Sequence, residues 1–177
     1  DVTPPVIAAL PAISTINCPA VPSFATATAT DACGGTVTLT FADVTTPSTA
    51  CPLKYSITRT WTAKDDCNNT STASQTINVQ DITAPVIAAL PATSTIDCPA
   101  TPVFAVATAT DACGSAFTLT SADVTTPGTC AGSYSVTRTW TATDACGNSS
   151  TASQTINVTD TVAPVIAALP APSTISC

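Results

Sequence analysis

Tyr55-Ser56-Ile57-Thr58-Arg59-Thr60-Trp61-Thr62-Ala63 alternates strictly between large or apolar side chains and hydroxyl-bearing ones. Successive side chains of a β-strand point to opposite faces, so Tyr55, Ile57, Arg59, Trp61 and Ala63 share one face and the serine and threonines share the other. Branched residues lose little freedom on a pleated surface, and the stretch reads as a half-buried strand. Upstream, Thr36-Val37-Thr38-Leu39-Thr40-Phe41 repeats the pattern and is expected to turn Val37, Leu39 and Phe41 inward. Further strands are expected at residues 6–10, 14–18, 24–30 and 72–79, separated by breaks rich in Pro and Asp.

The whole pattern then recurs. Asp1-Val-Thr-Pro-Pro-Val-Ile-Ala-Ala-Leu10 returns as Asp81-Ile-Thr-Ala-Pro-Val-Ile-Ala-Ala-Leu90 and again from Asp160, at offsets of 80 and 79 residues. Self-similarity at a fixed period is the signature of a repeat array. Two repeats are expected at 1–80 and 81–159, with 160–177 as the first strands of a truncated third. Six short strands joined by turns in so small a unit indicate an all-β, Ig-like β-sandwich, and tandem copies with short Pro-containing linkers indicate a rod-like array. Strands of about ten residues would give each unit a length on the order of 40 Å.

Composition narrows the function. All eleven acidic residues are Asp, His, Glu and Met are absent, and Lys and Arg together number four, for a net charge of -7. Such a chain cannot neutralise a phosphate backbone, which argues against nucleic acid as a partner, and no apolar run is long enough to span a membrane as a helix. Without histidine there is no Ser-His or Cys-His nucleophile system, and without Glu the acid/base repertoire shrinks to Asp, so an enzyme is not expected. Self-formed Lys–Asn crosslinks are excluded for the second repeat, because Lys54 and Lys64 both lie in the first.

The nine cysteines are spread singly and lack the close ligand pairs of a zinc site, so they read as disulfides of an oxidising, extracellular compartment. A unit of about 80 residues buries only around 60% of its unfolded surface, and staples are needed. Four cysteines per repeat allow three connectivities, which strand direction ranks. Cys33 follows one strand and Cys67 precedes the last, so both are expected at the leading end of the first repeat. Cys18 and Cys51 are expected at its trailing end. The resulting pairs are Cys18 with Cys51, Cys33 with Cys67, Cys98 with Cys130 and Cys113 with Cys146. Each would close a loop of about 35 residues, a stabilisation of roughly 3–4 kcal/mol. Cys177, the counterpart of Cys18 and Cys98, is expected to bond a residue outside the segment.

Asp-x-Thr-x-Pro-Val-Ile at the repeat boundaries, and the run Thr137-Arg138-Thr139-Trp140-Thr141-Ala142-Thr143-Asp144-Ala145-Cys146-Gly147-Asn148, resemble hyalin-repeat-like and related bacterial Ig-like modules. The resemblance covers the whole chain. It implies a segment of a large secreted surface protein of gliding, Bacteroidota-type bacteria, where such modules occur in many copies in adhesins and filaments. Its partners would be neighbouring repeats, other copies in a filament, and surfaces or glycans. The expected role is a structural or adhesive stalk at the cell surface; a glycan-binding or ice-binding module is the alternative.

Two further groups of residues are candidates. No cofactor is required, but Asp81, Asp111 and Asp144 are placed to converge at the repeat junction, where Asn148 and backbone carbonyls can help supply the six to eight oxygens that Ca2+ prefers. The first repeat offers Asp1, Asp31, Asp65 and Asp66. Asp is equally a turn residue whose side chain caps local amides, and both readings stand at this point. Asn68, Asn69 and Asn148 match the Asn-x-Ser/Thr glycosylation pattern. Trp61 and Trp140 share a face with Tyr and Ile or Val and read as core anchors. Arg59 and Arg138 are expected to lie against the Trp ring or to reach Asp43 and Asp123.

Overall fold

The computed structural model describes residues 1–49 and 51–168. The chain is all-β, with no helix among the described residues, and therefore none long and apolar enough to cross a membrane. It folds as two tandem β-sandwich-like repeats. In the first, β1 (Val6–Ile7) pairs with β3 (Ala29–Thr30), and β2 (Ser14–Asn17), β6 (Thr70–Gln80), β5 (Tyr55–Lys64) and β4 (Thr38–Pro47) form a four-stranded sheet in that order. The second repeats this with β7 (Val86–Ile87) on β9 (Ala109–Thr110), and with β8 (Ser94–Asp97), β12 (Ser149–Thr159), β11 (Tyr134–Asp144) and β10 (Phe117–Pro127). Residues 160–168 carry no strand, and Cys177 lies outside the described residues.

The alternation in β5 does what its period demands. Trp61 and Ala63 are buried, and the antiparallel β6 buries Gln75, Ile77 and Val79, which stand opposite Arg59, Ile57 and Tyr55, while Trp61 faces Ala73. The hydroxyls of the other face bond each other across the ladder, Thr58 to Thr76 and Thr60 to Ser74, each at 2.9 Å. The second repeat buries Trp140, Ala142, Ile156 and Val158 in the same way.

Two expectations need revision. Phe41 is 59% exposed, because β4 is the edge strand and what covers the ring is the Arg59 guanidinium, 3.9 Å from its centroid. That cation also lies 4.4 Å from the Phe24 ring and binds Asp43 with two 2.7 Å hydrogen bonds, which hold the Asp43 carboxyl below its ordinary pKa. The strand expected over 24–30 is only two residues long. The buried Gln75 takes over part of its pairing, its Oε1 accepting the Ala25 N–H at 3.1 Å.

By contacts the chain divides into two compact units. The first comprises Asp1–Ala89, Ala107–Ser121 and Trp140–Ala152, and the second comprises Leu90–Val106, Ala122–Thr139 and Ser153–Cys177. The first unit thus holds the whole first repeat together with the leading end of the second.

Candidate functional site

The leading end of each repeat is built from two similar turns. In Asp111-Ala112-Cys113-Gly114 the Gly114 N–H donates to the Asp111 carbonyl at 3.2 Å, and the Asp111 side chain accepts the Cys113 N–H at 2.9 Å. In Asp144-Ala145-Cys146-Gly147 the matching distances are 3.2 and 2.8 Å. Asp caps the turn, and glycine with φ +89° at 147 takes the left-handed position. Each turn therefore presents a cysteine on a rigid tip.

Those tips receive the trailing cysteines of the first repeat. Cys18, whose N–H donates to the Gln80 carbonyl at the end of β2, is bonded to Cys113, with 5.3 Å between Cα atoms. Cys51, at the β4–β5 turn and 5% exposed, is bonded to Cys146, with 4.7 Å between Cα atoms. The pairs expected from sequence are overturned: Cys18 is not joined to Cys51, nor Cys113 to Cys146, and Cys33, Cys67, Cys98 and Cys130 carry free thiols. Strand direction does rank the cysteines by end. The error lay in confining each bond to one repeat, because the trailing pair of one repeat meets the leading pair of the next.

Beside the Cys18–Cys113 bond, Asp81, Asp111 and Asp144 bring carboxylate oxygens within 4.8 Å of one another, and Asp81 and Asp144 are buried. Most of their oxygens are engaged. Asp81 accepts the Thr83 N–H and the Ser115 hydroxyl, and Asp144 accepts the Cys146 and Asn148 N–H groups. The Asp111 Oδ2 is buried without a hydrogen-bond partner. Asn148, read from sequence as an oxygen ligand, turns its nitrogen to the cluster instead. Its Nδ2 donates to Asp144 Oδ2 at 2.8 Å and to the Asp81 carbonyl at 3.2 Å. Burial, the largest influence on Asp144, pushes its carboxyl up. The hydrogen bonds from Asn148, Cys146 and Gly147 outweigh it and leave the pKa lowered.

The chain carries the fold twice, and a known family matches each copy. The HYR-like domain with 4 cysteines matches residues 6–79 and again residues 86–158. The chain belongs to this family. Among solved structures, Drosophila N-cadherin EC1-4 is 12% identical, with 89% of this chain and 50% of that one covered at a TM-score of 0.38. The protocadherin GammaB4 extracellular domain is 15% identical, with coverages of 89% and 35% and a TM-score of 0.39. Mouse cadherin-23 EC22-24 is 14% identical, with 89% and 67% covered and a TM-score of 0.38. The chain spans about half the length of the N-cadherin fragment. So low a likeness assigns neither ligand nor partner. No curated protein matches the chain. Disulfides persist outside the reducing cytosol, and a disulfide-bonded HYR-like repeat is extracellular.

In the first HYR-like repeat the acidic residues are distributed differently. Asp1 and Asp31 cluster with Cys33, Asp66 accepts the Thr36 N–H at 2.9 Å, and Asp65 accepts two hydrogen bonds from Asn69. Of the glycosylation candidates, Asn68 is exposed, with φ at 72°, where the second repeat has Gly147. The side-chain nitrogens of Asn69 and Asn148 are held by Asp65 and Asp144. Sequence reading missed Ser115, which stands where the first repeat has Gly35 and donates to Asp81 Oδ2. The substitution of a hydroxyl for a glycine was its only signal.

Proposed function

We propose that this chain is a load-bearing segment of an extracellular adhesive protein, a stalk or filament repeat of the kind displayed on the surfaces of gliding bacteria, with no catalytic role. The observation that carries the reading is the route of the disulfides. Each joins one repeat to the next across a sequence separation of 95 residues. A pull on the two ends reaches Cys18 and crosses sulfur either there or at Cys51, so the extensible path is shorter by those 95 residues than the bare chain. Burial of both indole rings, Trp61 at 4% and Trp140 at 6% exposure, removes the stacking platforms that a glycan-binding alternative needs.

Calcium at the junction is a second element of this proposal, favoured by the partnerless Asp111 Oδ2 beside two buried carboxylates. A divalent cation would relieve the repulsion among three acidic groups in a site with little water.

Force spectroscopy on the chain held by its termini tests both. Reduction should add roughly 310–340 Å of contour length, at about 3.3–3.6 Å per residue. An equal length with and without reductant sinks the load-bearing reading. In the oxidised chain, calcium should raise the force at which the first unit opens, and Asp111→Asn should abolish that rise; a force indifferent to calcium and chelator removes the cation.

A further inference from the structure

At its trailing end the sheet of the first repeat carries a cavity of about 420 Å³, within the ~300–1,000 Å³ of small-molecule sites. A single cross-strand row lines it. Thr46 of β4 stands opposite Ser56 of β5, Ser56 opposite Asn78 of β6, and Asn78 opposite Thr15 of β2. Neighbouring strands lie about 4.8 Å apart, so the row sets three hydroxyls and one amide at that interval. A hydroxyl or a carboxamide both donates and accepts, which is what the hydroxyls of a sugar ring require in return. Lys54 and the half-buried Tyr55 complete the wall.

Lys54 sets the charge that this cavity accepts. The chain has four cations, and Asp43 and Asp123 close two of them, Arg59 and Arg138, at 2.7 Å each. Neither Lys54 nor Lys64 has an ion pair among the described residues. Lys64 stands at the opposite end of β5, so Lys54 is the cation on the cavity, and no carboxylate lines it. On a chain of net charge -7, an approaching anion meets an uncompensated ammonium here. We propose that the first repeat holds a binding site for an acidic saccharide, a hexuronate unit whose carboxylate pairs with Lys54 while its ring hydroxyls bond Thr46, Ser56 and Asn78. The proposal goes beyond the stalk reading by giving the repeat a ligand. Recognition by hydrogen bonds and one charge needs no exposed indole, so the burial of Trp61 and Trp140 does not oppose it.

The site is set before a ligand arrives. The Ser48 N–H donates to the Lys54 carbonyl at 2.8 Å, and the Lys54 N–H donates to the Cys51 carbonyl at 3.0 Å. Cys51 is itself bonded to Cys146. Both backbone polar groups of Lys54 are therefore held, and binding orders little beyond its side chain, which keeps the entropic penalty small.

The second repeat supplies the contrast. Its corresponding cavity, of about 460 Å³, keeps the polar row as Thr126, Ser135 and Asn157. Ser133 stands there in place of Lys54, and the Asp160 carboxylate joins the lining. Without the cation, and with a like charge in the wall, this cavity disfavours a uronate.

The test is a heteronuclear NMR titration of the full, nitrogen-labelled chain at low salt, with trigalacturonate and in parallel with a hyaluronan tetrasaccharide. Saturable shifts should centre on Lys54, Ser56 and Asn78 with a Kd on the order of 1 mM, and should leave Ser135 and Asn157 in place. Lys54→Ser, which installs the residue that the second repeat already carries, should weaken binding about tenfold, as loss of a charge-assisted hydrogen bond does, and Lys54→Arg should retain it. Asn78→Ala should weaken it about fivefold. The methyl ester of trigalacturonate loses the charge and keeps the ring hydroxyls, and it should bind as weakly as the free acid binds Lys54→Ser. Absence of saturable shifts with both acids, equal binding of the ester, or equal shifts in the two repeats would overturn the proposal. So would the same shifts from acetate at the same concentration, which would mark an anion site without saccharide recognition. Force measurements on the junction report on the stalk reading separately, so the two can fail independently.

Discussion

Asp144 shows how much one side chain contributes to this architecture. It caps the turn that presents Cys146, ties Asn148 to the Asp81 carbonyl through that residue's amide, and stays ionised despite burial because donors surround it. Asp65 does the same in the first repeat: burial, the largest single influence, pushes its carboxyl up, and the hydrogen bonds from Asn69 and Cys67 together outweigh it and leave the pKa lowered. A carboxyl whose folded pKa lies below its unfolded value stabilises the fold fully above the ordinary carboxylate range, near 3.9, and loses that contribution as pH falls through the folded value. Thermal melts from neutral pH to about pH 2 should therefore show stability falling in the acid range, and Asp144→Asn should flatten that fall while an amide oxygen still caps the turn. A variant as acid-sensitive as the wild type would contradict this account. The Asp-x-Cys spacing made the turns legible in the sequence. It did not disclose that Asn148 would meet the cluster by its nitrogen, since both ends of an amide fit the same spacing.

At the scale of elements, the legible strands are those whose alternation is unbroken. β5 and β6 follow the reading closely because burial acts on every second residue of both. β4 runs on to Pro47, past the expected end at Phe41, since Asp43 is held opposite Arg59 and the partner strand continues. β3 is shorter than read, and Gln75 is the reason. A polar residue at an apolar position of β6 was a visible anomaly, but its partner, Ala25, lies 50 residues away. Gln75→Ala leaves that N–H without its acceptor, so the expected loss is about 1–3 kcal/mol. Gln154→Ala, which deprives Ala105, should do likewise in the second repeat. Denaturant titration measures the loss, and hydrogen exchange should speed up at Ala25 or Ala105 in the matching variant.

At the scale of the whole molecule, the period of the repeat and the end at which each cysteine lies were legible, and the pairing was not. A repeat read alone contains four cysteines and a closed set of partners; only a neighbour opens the set. The two bonds turn residues 18–51 and 113–146 into the two sides of one closed covalent loop. A loop tolerates a break. If a secreted protease cuts any one peptide bond between Cys18 and Cys146, an unbroken covalent route still connects Asp1 to Cys177, either through Cys113 or through Cys146. Singly nicked chain should run as one species on a non-reducing gel and as two fragments after reduction; separation without reductant would show that the loop is not closed. Such a chain can be damaged once at each joint and still hold, and a second cut, on the opposite side of the loop, is needed to part it.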